Sequence, residues 1–413
     1  MNTLIRICGL ILFSLILIFP TEQLIIKLPF LVIVLFSWMF SVLYRKIVFF
    51  KPILFLISLI VAKGIIWTIY GYLNGNSGAV KVINVNITWY LLYTILILKI
   101  RQLKDFNLIL CTLIFSGLIF ALIDLYLIAM TFKILPEINF LDIFSEDTFY
   151  FGMRSGFPYL QTNHLNNLIF IYPLTFTLLI SPDGPKSLFL SNKWFLKVFL
   201  FLQIILMFLS GRRIMWLILF LGPFFVFILK YLASRKRHFF LFKYVMKYYL
   251  FIGIILICSI SFLFINIDLS IPLISENFSN AFNSNEESTR FDQNAILLSK
   301  FYESPIFGHG AAAEITGYKR SIETPWAYEL SYQDDLFKTG ILGFSFFVTF
   351  ILGIFYLGFK IIKKDDFIIL GLLAGLLSFL VANGTNPFFS SFDYYWPYFI
   401  TLSYINLKNN ISC

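Results

Sequence analysis

Residues 198–229, VFLFLQIILMFLSGRRIMWLILFLGPFFVFIL, place two adjacent arginines, Arg212 and Arg213, between two strongly apolar runs. As a single helix this stretch would be about 48 Å long, whereas the hydrocarbon core of a bilayer is about 30 Å thick. An arginine at mid-membrane also costs at least about 2.5–3.5 kcal/mol. Two helices that meet at Ser210 and Gly211 avoid both problems, because glycine suits a tight turn. The stretch therefore predicts two membrane-spanning helices with the arginines at their junction.

The composition of the whole chain is that of a membrane protein. Of its 413 residues, 59% are hydrophobic and 13% are charged, whereas soluble domains are about 45–50% apolar and about 25% charged. A helix that spans a bilayer needs about 20 apolar residues. We therefore predict an all-α polytopic membrane protein with about twelve transmembrane helices, at roughly 3–20, 24–43, 47–70, 80–99, 107–131, 164–181, 194–210, 213–233, 244–265, 338–361, 367–384 and 389–407.

Two long segments separate some of these spans, at about 132–163 and 266–337. The second contains the polar stretch NFSNAFNSNEESTRFDQ, followed by amphipathic sequence. Loops of this length in a compact protein are usually functional or disordered, and this one is too apolar to be wholly disordered. The predicted organisation is nine helices in residues 1–265, a large loop with short helices at 266–337, and three helices in 338–413.

The net charge of +10 is best explained by orientation in the membrane and not by nucleic-acid binding. Cytoplasmic loops carry an excess of lysine and arginine, and basic residues cluster in alternate loops along this chain. The pattern predicts that both termini are cytoplasmic and that the large loop lies outside. The basic residues on the predicted inner side are Arg45, Lys46, Arg101, Lys104, Lys186, Lys193, Arg235, Lys236, Arg237, Lys363, Lys364 and Lys408.

The helix junction that carries the two arginines lies on the predicted outer side of the membrane. The preference of basic residues for cytoplasmic loops therefore does not explain these two arginines. One interpretation is that Arg212 and Arg213 contact lipid headgroups or an acidic loop. The other is an anion site, because guanidinium groups form bidentate, charge-assisted bonds to phosphate. Arg290 in the large loop is a third arginine that would join such a site.

Glu329 and His164 are the other candidates for chemistry. Glu329, Tyr332 and Leu336 have the spacing of one helical face, and a carboxylate near arginines is either a general base or one half of an ion pair. The sequence does not decide between these two roles. His164 opens the sixth predicted span, and a lone histidine is more often a structural hydrogen-bonding group than a catalyst.

The residue patterns predict no metal and no cofactor. No two histidines have the spacing of metal ligands, and the predicted outer loops contain no paired-carboxylate motif such as DxD. There is also no phosphate-binding glycine loop and no GxSxG nucleophile motif. The four cysteines are far apart, which predicts no disulfide framework.

Several stretches together resemble the bacterial O-antigen polymerase and O-antigen ligase superfamily, over roughly residues 150–400. LSGRR resembles the family's Ser-Gly-x-Arg motif, with Arg213 on the motif arginine and Arg212 beside it. STRFDQNAILLSKFYESPIFGHG resembles its loop pattern of an arginine, here Arg290, an amphipathic helix and Pro-x-x-Gly-x-Gly. The remaining matches are YELSYQDDLFKTGILG for the closing helix, and TNHLNN and NGTNPFFSS for short asparagine-containing signatures.

The resemblance implies a helical bundle of the C-type glycosyltransferase kind in the bacterial inner membrane, with a large periplasmic loop. It implies metal-independent transfer of a glycan from undecaprenyl pyrophosphate to an acceptor sugar hydroxyl at the periplasmic face. The implied catalytic residues are Glu329, Arg213 and Arg290. The implied substrate-binding residues are Arg212, Asn163 and His164, with Trp326, Tyr328 and Tyr332 stacking on sugars.

One departure from the family pattern bears on the reaction. Ligases carry a histidine where Glu329 stands, which favours a polymerase and a functional role for Glu329. The alternatives are a ligase that transfers glycan to the lipid A core, a flippase for lipid-linked oligosaccharides, a peptidoglycan-type polymerase of a related fold, and a non-catalytic scaffold. The expected partners are the lipid-linked glycan and membrane lipid. A chain-length regulator protein is a further candidate partner, and no nucleic-acid partner is expected.

Overall fold

The computed structural model of the protein describes residues 2–20, 22–44, 50–100, 102–131, 133–136, 149–154, 157–182, 191–233, 246–250, 252–254, 285–318, 322–362, 366–388 and 391–411. Most of these residues are helical. The longer helices are α1 (Asn2–Ile18), α2 (Leu24–Tyr44), α3 (Lys51–Leu73), α4 (Trp89–Lys99), α5 (Leu103–Thr131), α6 (Leu168–Ile180), α7 (Lys193–Leu209), α8 (Arg213–Ala233), α9 (Asn285–Glu303), α10 (Ser331–Ile362), α11 (Phe367–Asn383) and α12 (Trp396–Ile411).

Four of the described helices, α3, α5, α8 and α10, are long and apolar enough to cross a membrane, judged by length and composition. Shorter apolar helices lie at Arg6–Ile18, Leu24–Ser37, His164–Ile180 and Phe367–Asn383. These helices fit an all-α membrane protein, and the count of twelve spans stays a prediction. Of the predicted span 244–265, only 246–250 and 252–254 are described, and both are helical; the rest lies outside the described residues.

The predicted junction between two helices at the double arginine is confirmed. α7 ends at Leu209 and α8 begins at Arg213. Between them Gly211 has a φ of 63°, a left-handed conformation that favours glycine. The hydroxyl of Ser210 donates to the carbonyl of Met207 at 2.7 Å and accepts the backbone N–H of Arg212 at 3.2 Å.

A β-hairpin adds a strand element to the predicted all-α architecture. Strands β1 (Phe149–Arg154) and β2 (Phe157–Thr162) pair antiparallel, with Phe149 opposite Thr162 and Phe151 opposite Leu160. The hairpin lies within the loop predicted at 132–163. Of the large loop predicted at 266–337, residues 266–284 lie outside the described residues, and the next part is one 19-residue helix, α9, in place of several short ones.

The chain divides into two compact units. Unit 1 comprises residues 1–40, 103–283 and 362–379, and unit 2 comprises 41–102, 284–361 and 380–413. In unit 1, α6 packs against both α7 and α8, and α1 packs against α5. The buried Tyr172 of α6 donates its hydroxyl to the carbonyl of Leu219 in α8 at 2.7 Å.

In unit 2, a break in α10 is joined to a turn that follows α9. Gly340 has φ 61° and ψ −173°, a conformation that is essentially restricted to glycine. A continuous helix would bond the N–H groups of Ile341 and Leu342 to the carbonyls of Phe337 and Lys338 four residues earlier. The break separates these four groups, so each needs another partner.

The turn at residues 305–310 supplies all four partners. Ile341 donates to the carbonyl of Pro305 at 2.8 Å, and Leu342 donates to that of Ile306 at 3.1 Å. In the other direction, the carbonyls of Phe337 and Lys338 accept the N–H groups of His309 at 3.1 Å and Gly310 at 2.8 Å. Four hydrogen bonds to the turn therefore replace the two helical ones lost at the break, one for each of the four separated groups.

The close approach of the two backbones explains the glycines of the Pro-x-x-Gly-x-Gly pattern. A Cβ on Gly308 would come within 2.5 Å of the Lys338 carbonyl, and one on Gly340 within 2.3 Å of the Ile306 carbonyl oxygen. On its other side the turn meets α3, where a Cβ on Gly310 would come within 2.5 Å of the Cα of Gly71.

Replacement of Gly340 by alanine tests this packing. Gly340→Ala should cost about 1–3 kcal/mol for the backbone conformation and about 1–3 kcal/mol more for the forced shift of the turn. Gly317→Ala is the matched control, because Gly317 also has a positive φ, of 84°, but has open space where a Cβ would lie. Thermal unfolding of the detergent-solubilised protein should show the larger loss of Tm for Gly340→Ala. Equal losses would contradict the role of close packing.

Candidate functional site

Arg290 and Glu329, two of the three predicted catalytic residues, form an ion pair in unit 2. Nε of Arg290 donates to Oε2 of Glu329 at 2.7 Å, and their side chains are 40% and 21% exposed. Arg290 lies in α9, and Glu329 lies two residues before α10 begins. Glu329 therefore does not share a helical face with Tyr332 and Leu336, and that prediction is wrong, because the helix starts only at Ser331.

Gln293 fixes the backbone at Glu329 relative to α9. Its side-chain oxygen accepts the backbone N–H groups of Glu329 at 3.0 Å and Leu330 at 3.1 Å. Gln293 is buried and lies three residues after Arg290, so both side chains project from one face of α9. One face of this helix thus holds both the carboxylate and the backbone of Glu329. The role of Gln293 could not be predicted from the sequence, because its partners are 36 and 37 residues away.

The aromatic rings near Glu329 are largely occupied by other contacts. Tyr328 is 2% exposed and packs in a hydrophobic cluster with Leu297, Ile315 and Phe337. Its hydroxyl accepts the backbone N–H of Ile315 at 2.9 Å. Burial raises the pKa of Tyr328 to about 12, partly offset by that hydrogen bond. The phenol is therefore a neutral structural group at physiological pH.

Trp326 and Tyr332 are also held by contacts within the protein. Trp326 is 9% exposed, with Gly78 against its ring and Nζ of Lys81 at 5.4 Å from the ring centre. Tyr332 donates its hydroxyl to the carbonyl of Leu380 at 2.5 Å. The burial of Trp326 and Tyr328 favours a supporting role for both rings over the predicted stacking on sugars.

The double arginine lies in unit 1 and is held by a short turn. Nη1 of Arg212 donates to the side-chain oxygen of Asn166 at 2.8 Å. Asn166 belongs to the 3-10 turn His164–Asn167, which leads directly into α6. Asn163 precedes this turn, and Arg213 is the first residue of α8. The short asparagine-containing signature therefore positions one of the two arginines.

His164 is paired with a carboxylate that the sequence analysis missed. Nε2 of His164 lies 2.8 Å from Oδ1 of Asp124, and the two side chains are 2% and 0% exposed. The imidazole also stacks on Phe120, with ring centres 5.2 Å apart. Asp124 stands in the apolar run LIFALIDLYLI of α5, and an acidic residue inside a membrane span is a signal that could have identified it. The pair supports a structural role for the histidine.

The adjacent carboxylates Asp334 and Asp335 have different partners. Asp334 accepts from Lys338 in the next turn of α10 at 2.6 Å. Asp335 accepts from Lys63, in the middle of α3, at 2.6 Å. Lys63 is thus compensated by a carboxylate within the protein. In the part of the chain that the structure describes, no group of three or more histidine, cysteine, aspartate or glutamate residues is arranged to hold a metal ion.

Residues 198–348 match the sequence model of a family described as O-antigen ligase. The match supports the O-antigen ligase and polymerase superfamily for this segment. The predicted resemblance is thereby confirmed, although the match does not separate polymerase from ligase. Members of the family are glycosyltransferase-like enzymes that act on lipid-linked glycans. No curated protein and no solved structure shows significant similarity to the chain.

The O-antigen ligase segment contains the double arginine, the Arg290–Glu329 pair and the break in α10 with its turn. Asn163, His164 and Asp124 precede it. Together with the apolar helices, the match indicates a multi-pass bacterial membrane protein.

Substitution of Gln293 tests whether it positions Glu329. Gln293→Leu leaves two backbone N–H groups without their acceptor, at about 1–3 kcal/mol each, whereas Gln293→Glu retains an acceptor oxygen. We expect thermal unfolding in detergent to show a clear loss of stability for Gln293→Leu and a smaller one for Gln293→Glu. Asn294→Leu, the same kind of change at the next position of α9, should have little effect. Equal stabilities for Gln293→Leu and Asn294→Leu would refute the role.

Proposed function

We propose that this protein is a glycosyltransferase that polymerises oligosaccharide repeat units carried on undecaprenyl pyrophosphate into O-antigen or capsular polysaccharide, without a metal ion. The observation that carries the proposal is the 2.7 Å pair of Arg290 and Glu329 in a segment that matches the O-antigen ligase family. The pair combines a cation that can stabilise a leaving phosphate with a carboxylate that can accept a proton.

In the proposed reaction, the oxygen of an acceptor hydroxyl attacks the anomeric carbon of the donor glycan. The bond from that carbon to the pyrophosphate oxygen breaks, and its electron pair leaves with the lipid pyrophosphate. The hydroxyl proton passes to the carboxylate of Glu329. Because negative charge grows on the leaving group, a preorganised guanidinium stabilises the transition state more than the ground state.

Arg290 and Glu329 neutralise each other's charge before the donor binds. The pyrophosphate of the donor then disturbs this ion pair. A guanidinium group carries five N–H donors and binds phosphate in a bidentate manner. A pyrophosphate therefore competes with Glu329 for Arg290, whose side chain is 40% exposed and accessible to a ligand. When Arg290 turns to the phosphate, the carboxylate of Glu329 is left to accept the hydroxyl proton.

The double arginine is the second group that we assign to the lipid pyrophosphate. Arg213 begins α8, and Arg212 is oriented by Asn166. Two adjacent arginines concentrate positive charge at this junction, which attracts a doubly charged anion. We assign stabilisation of the leaving pyrophosphate to Arg213 and its binding to Arg212 and Asn163, with His164 supporting the turn that holds Arg212.

Polymerisation is favoured over ligation by the glutamate at position 329, where the ligases that the chain resembles carry histidine. The ligase reaction is the second candidate, because the matching family is described as O-antigen ligase. We place the protein in the bacterial inner membrane with both termini in the cytoplasm and with the α9 region in the periplasm. A chain-length regulator is the protein partner that we propose.

The glycan profile of a deletion strain complemented with variants tests this proposal. Glu329→Gln and Arg290→Gln should each reduce the rate of coupling by about 10²–10³-fold, because each removes a charge used in the transition state. On a gel of surface glycans, the wild-type ladder should collapse to a single repeat on the acceptor. Expression of each variant is confirmed by immunoblot of the membrane fraction.

The matched control is the ion pair of Arg6 and Asp105 in unit 1. Its side chains are 46% and 23% exposed, close to the values for Arg290 and Glu329. Arg6→Gln and Asp105→Asn should leave the ladder unchanged. Loss of all glycan from the acceptor, with polymer retained on the lipid carrier, would establish a ligase instead. A wild-type ladder from both Glu329→Gln and Arg290→Gln would refute the catalytic assignment.

A further inference from the structure

A polar cleft of about 380 Å³ opens in unit 2, between the C-terminal end of α9, the turn that follows it and the loop after α3. Its lining is dominated by polar side chains, and Phe337 is among its few apolar contributors. The polar side chains that matter for its chemistry are those of Asn74, Asn76, Lys300, Glu303, Glu314 and Thr316. None of these residues has a role in the proposed reaction.

The lining is suited to a neutral ligand with many hydroxyl groups. It offers amides, carboxylates, an ammonium group and a hydroxyl, so hydrogen-bond donors and acceptors are mixed. Lys300 is neutralised by Glu303 at 2.6 Å, and Glu314 adds a further negative charge. A phosphate or another anion would meet two carboxylates here. The cleft therefore differs in charge from the arginine sites.

The walls of the cleft are preorganised by hydrogen bonds. The side-chain amide of Asn76 donates to the carbonyls of His309 at 3.1 Å and Ala311 at 3.0 Å. Ser77 donates to the carboxylate of Glu314 at 2.7 Å. Ala312, beside the lining, has a φ of 56°, a strained conformation that persists only where the surroundings enforce it. A rigid polar cleft lowers the ordering cost of binding a flexible ligand.

The cleft and the proposed catalytic pair lie on the same helix. Arg290 and Lys300 are ten residues apart in α9, which corresponds to about 15 Å along the helix axis. A glycan whose reacting end lies at Arg290 and Glu329 would therefore have its more distant sugars within reach of the cleft. This placement gives the cleft a role that is separate from the chemistry.

We propose that this cleft is a saccharide-binding subsite that holds a sugar of the growing glycan away from the reacting end. The inference rests on the proposed function. A subsite of this kind retains the polymer between additions, so its loss shortens the product without preventing the first coupling.

Binding and product length together test the subsite. Thr316 is exposed at the cleft, so Thr316→Trp fills it without disturbing the core. Tyr302→Trp is the matched control, because Tyr302 is 73% exposed on α9 and does not line the cleft. Asn74→Ala removes one polar group without adding bulk. The binding probe is polysaccharide released by mild acid from the host's own surface glycan, titrated against the full-length protein in detergent.

Thr316→Trp should weaken binding of this polysaccharide about tenfold or more and shift the ladder to short chains, with Asn74→Ala intermediate and Tyr302→Trp like the wild type. Unchanged binding by Thr316→Trp, or equal weakening by Tyr302→Trp, would overturn the subsite. Loss of the first coupling in Thr316→Trp would also overturn it, because the cleft would then belong to the reacting site. A wild-type protein that binds the polysaccharide but couples no repeats would refute the proposed function and leave the subsite standing.

Discussion

The break in α10 at Gly340 is the constraint on which the rest of unit 2 depends. It removes two helical hydrogen bonds, and four hydrogen bonds to the turn at 305–310 satisfy the separated groups. Buried backbone groups without partners are costly, so the break and the turn stabilise each other. The glycines at 308 and 340 follow from this arrangement, because a Cβ at either position would collide with the opposite backbone.

The same constraint positions the charged pair. The turn follows the end of α9, which carries Arg290, and the break lies in α10, which begins two residues after Glu329. With the helix ends joined, Gln293 can hold the backbone at Glu329, and the carboxylate meets Arg290 at 2.7 Å. The family match covers all of these parts. The glycines of the family pattern therefore act as scaffold, whereas its charges are the candidates for chemistry.

The sequence predicted those features that depend on local patterns. The junction at Ser210 and Gly211 followed from two charges in an apolar run, and most helices followed from hydropathy. Features that depend on distant partners were not predicted. The pairs of His164 with Asp124 and of Lys63 with Asp335 join residues far apart in the chain. The burial of Tyr328 likewise depends on Leu297 and Ile315, which lie 31 and 13 residues earlier in the chain.

The central claim is that Arg290 and Glu329 act as one unit in glycan transfer. A double-mutant cycle on the initial rate of coupling, with purified protein and the host's lipid-linked repeat unit, tests it most directly. Residues that act as a unit are strongly non-additive, so the rate of the Arg290→Gln, Glu329→Gln double variant should lie within about threefold of the slower single variant. Losses that multiply, as for two independent residues, would contradict the account.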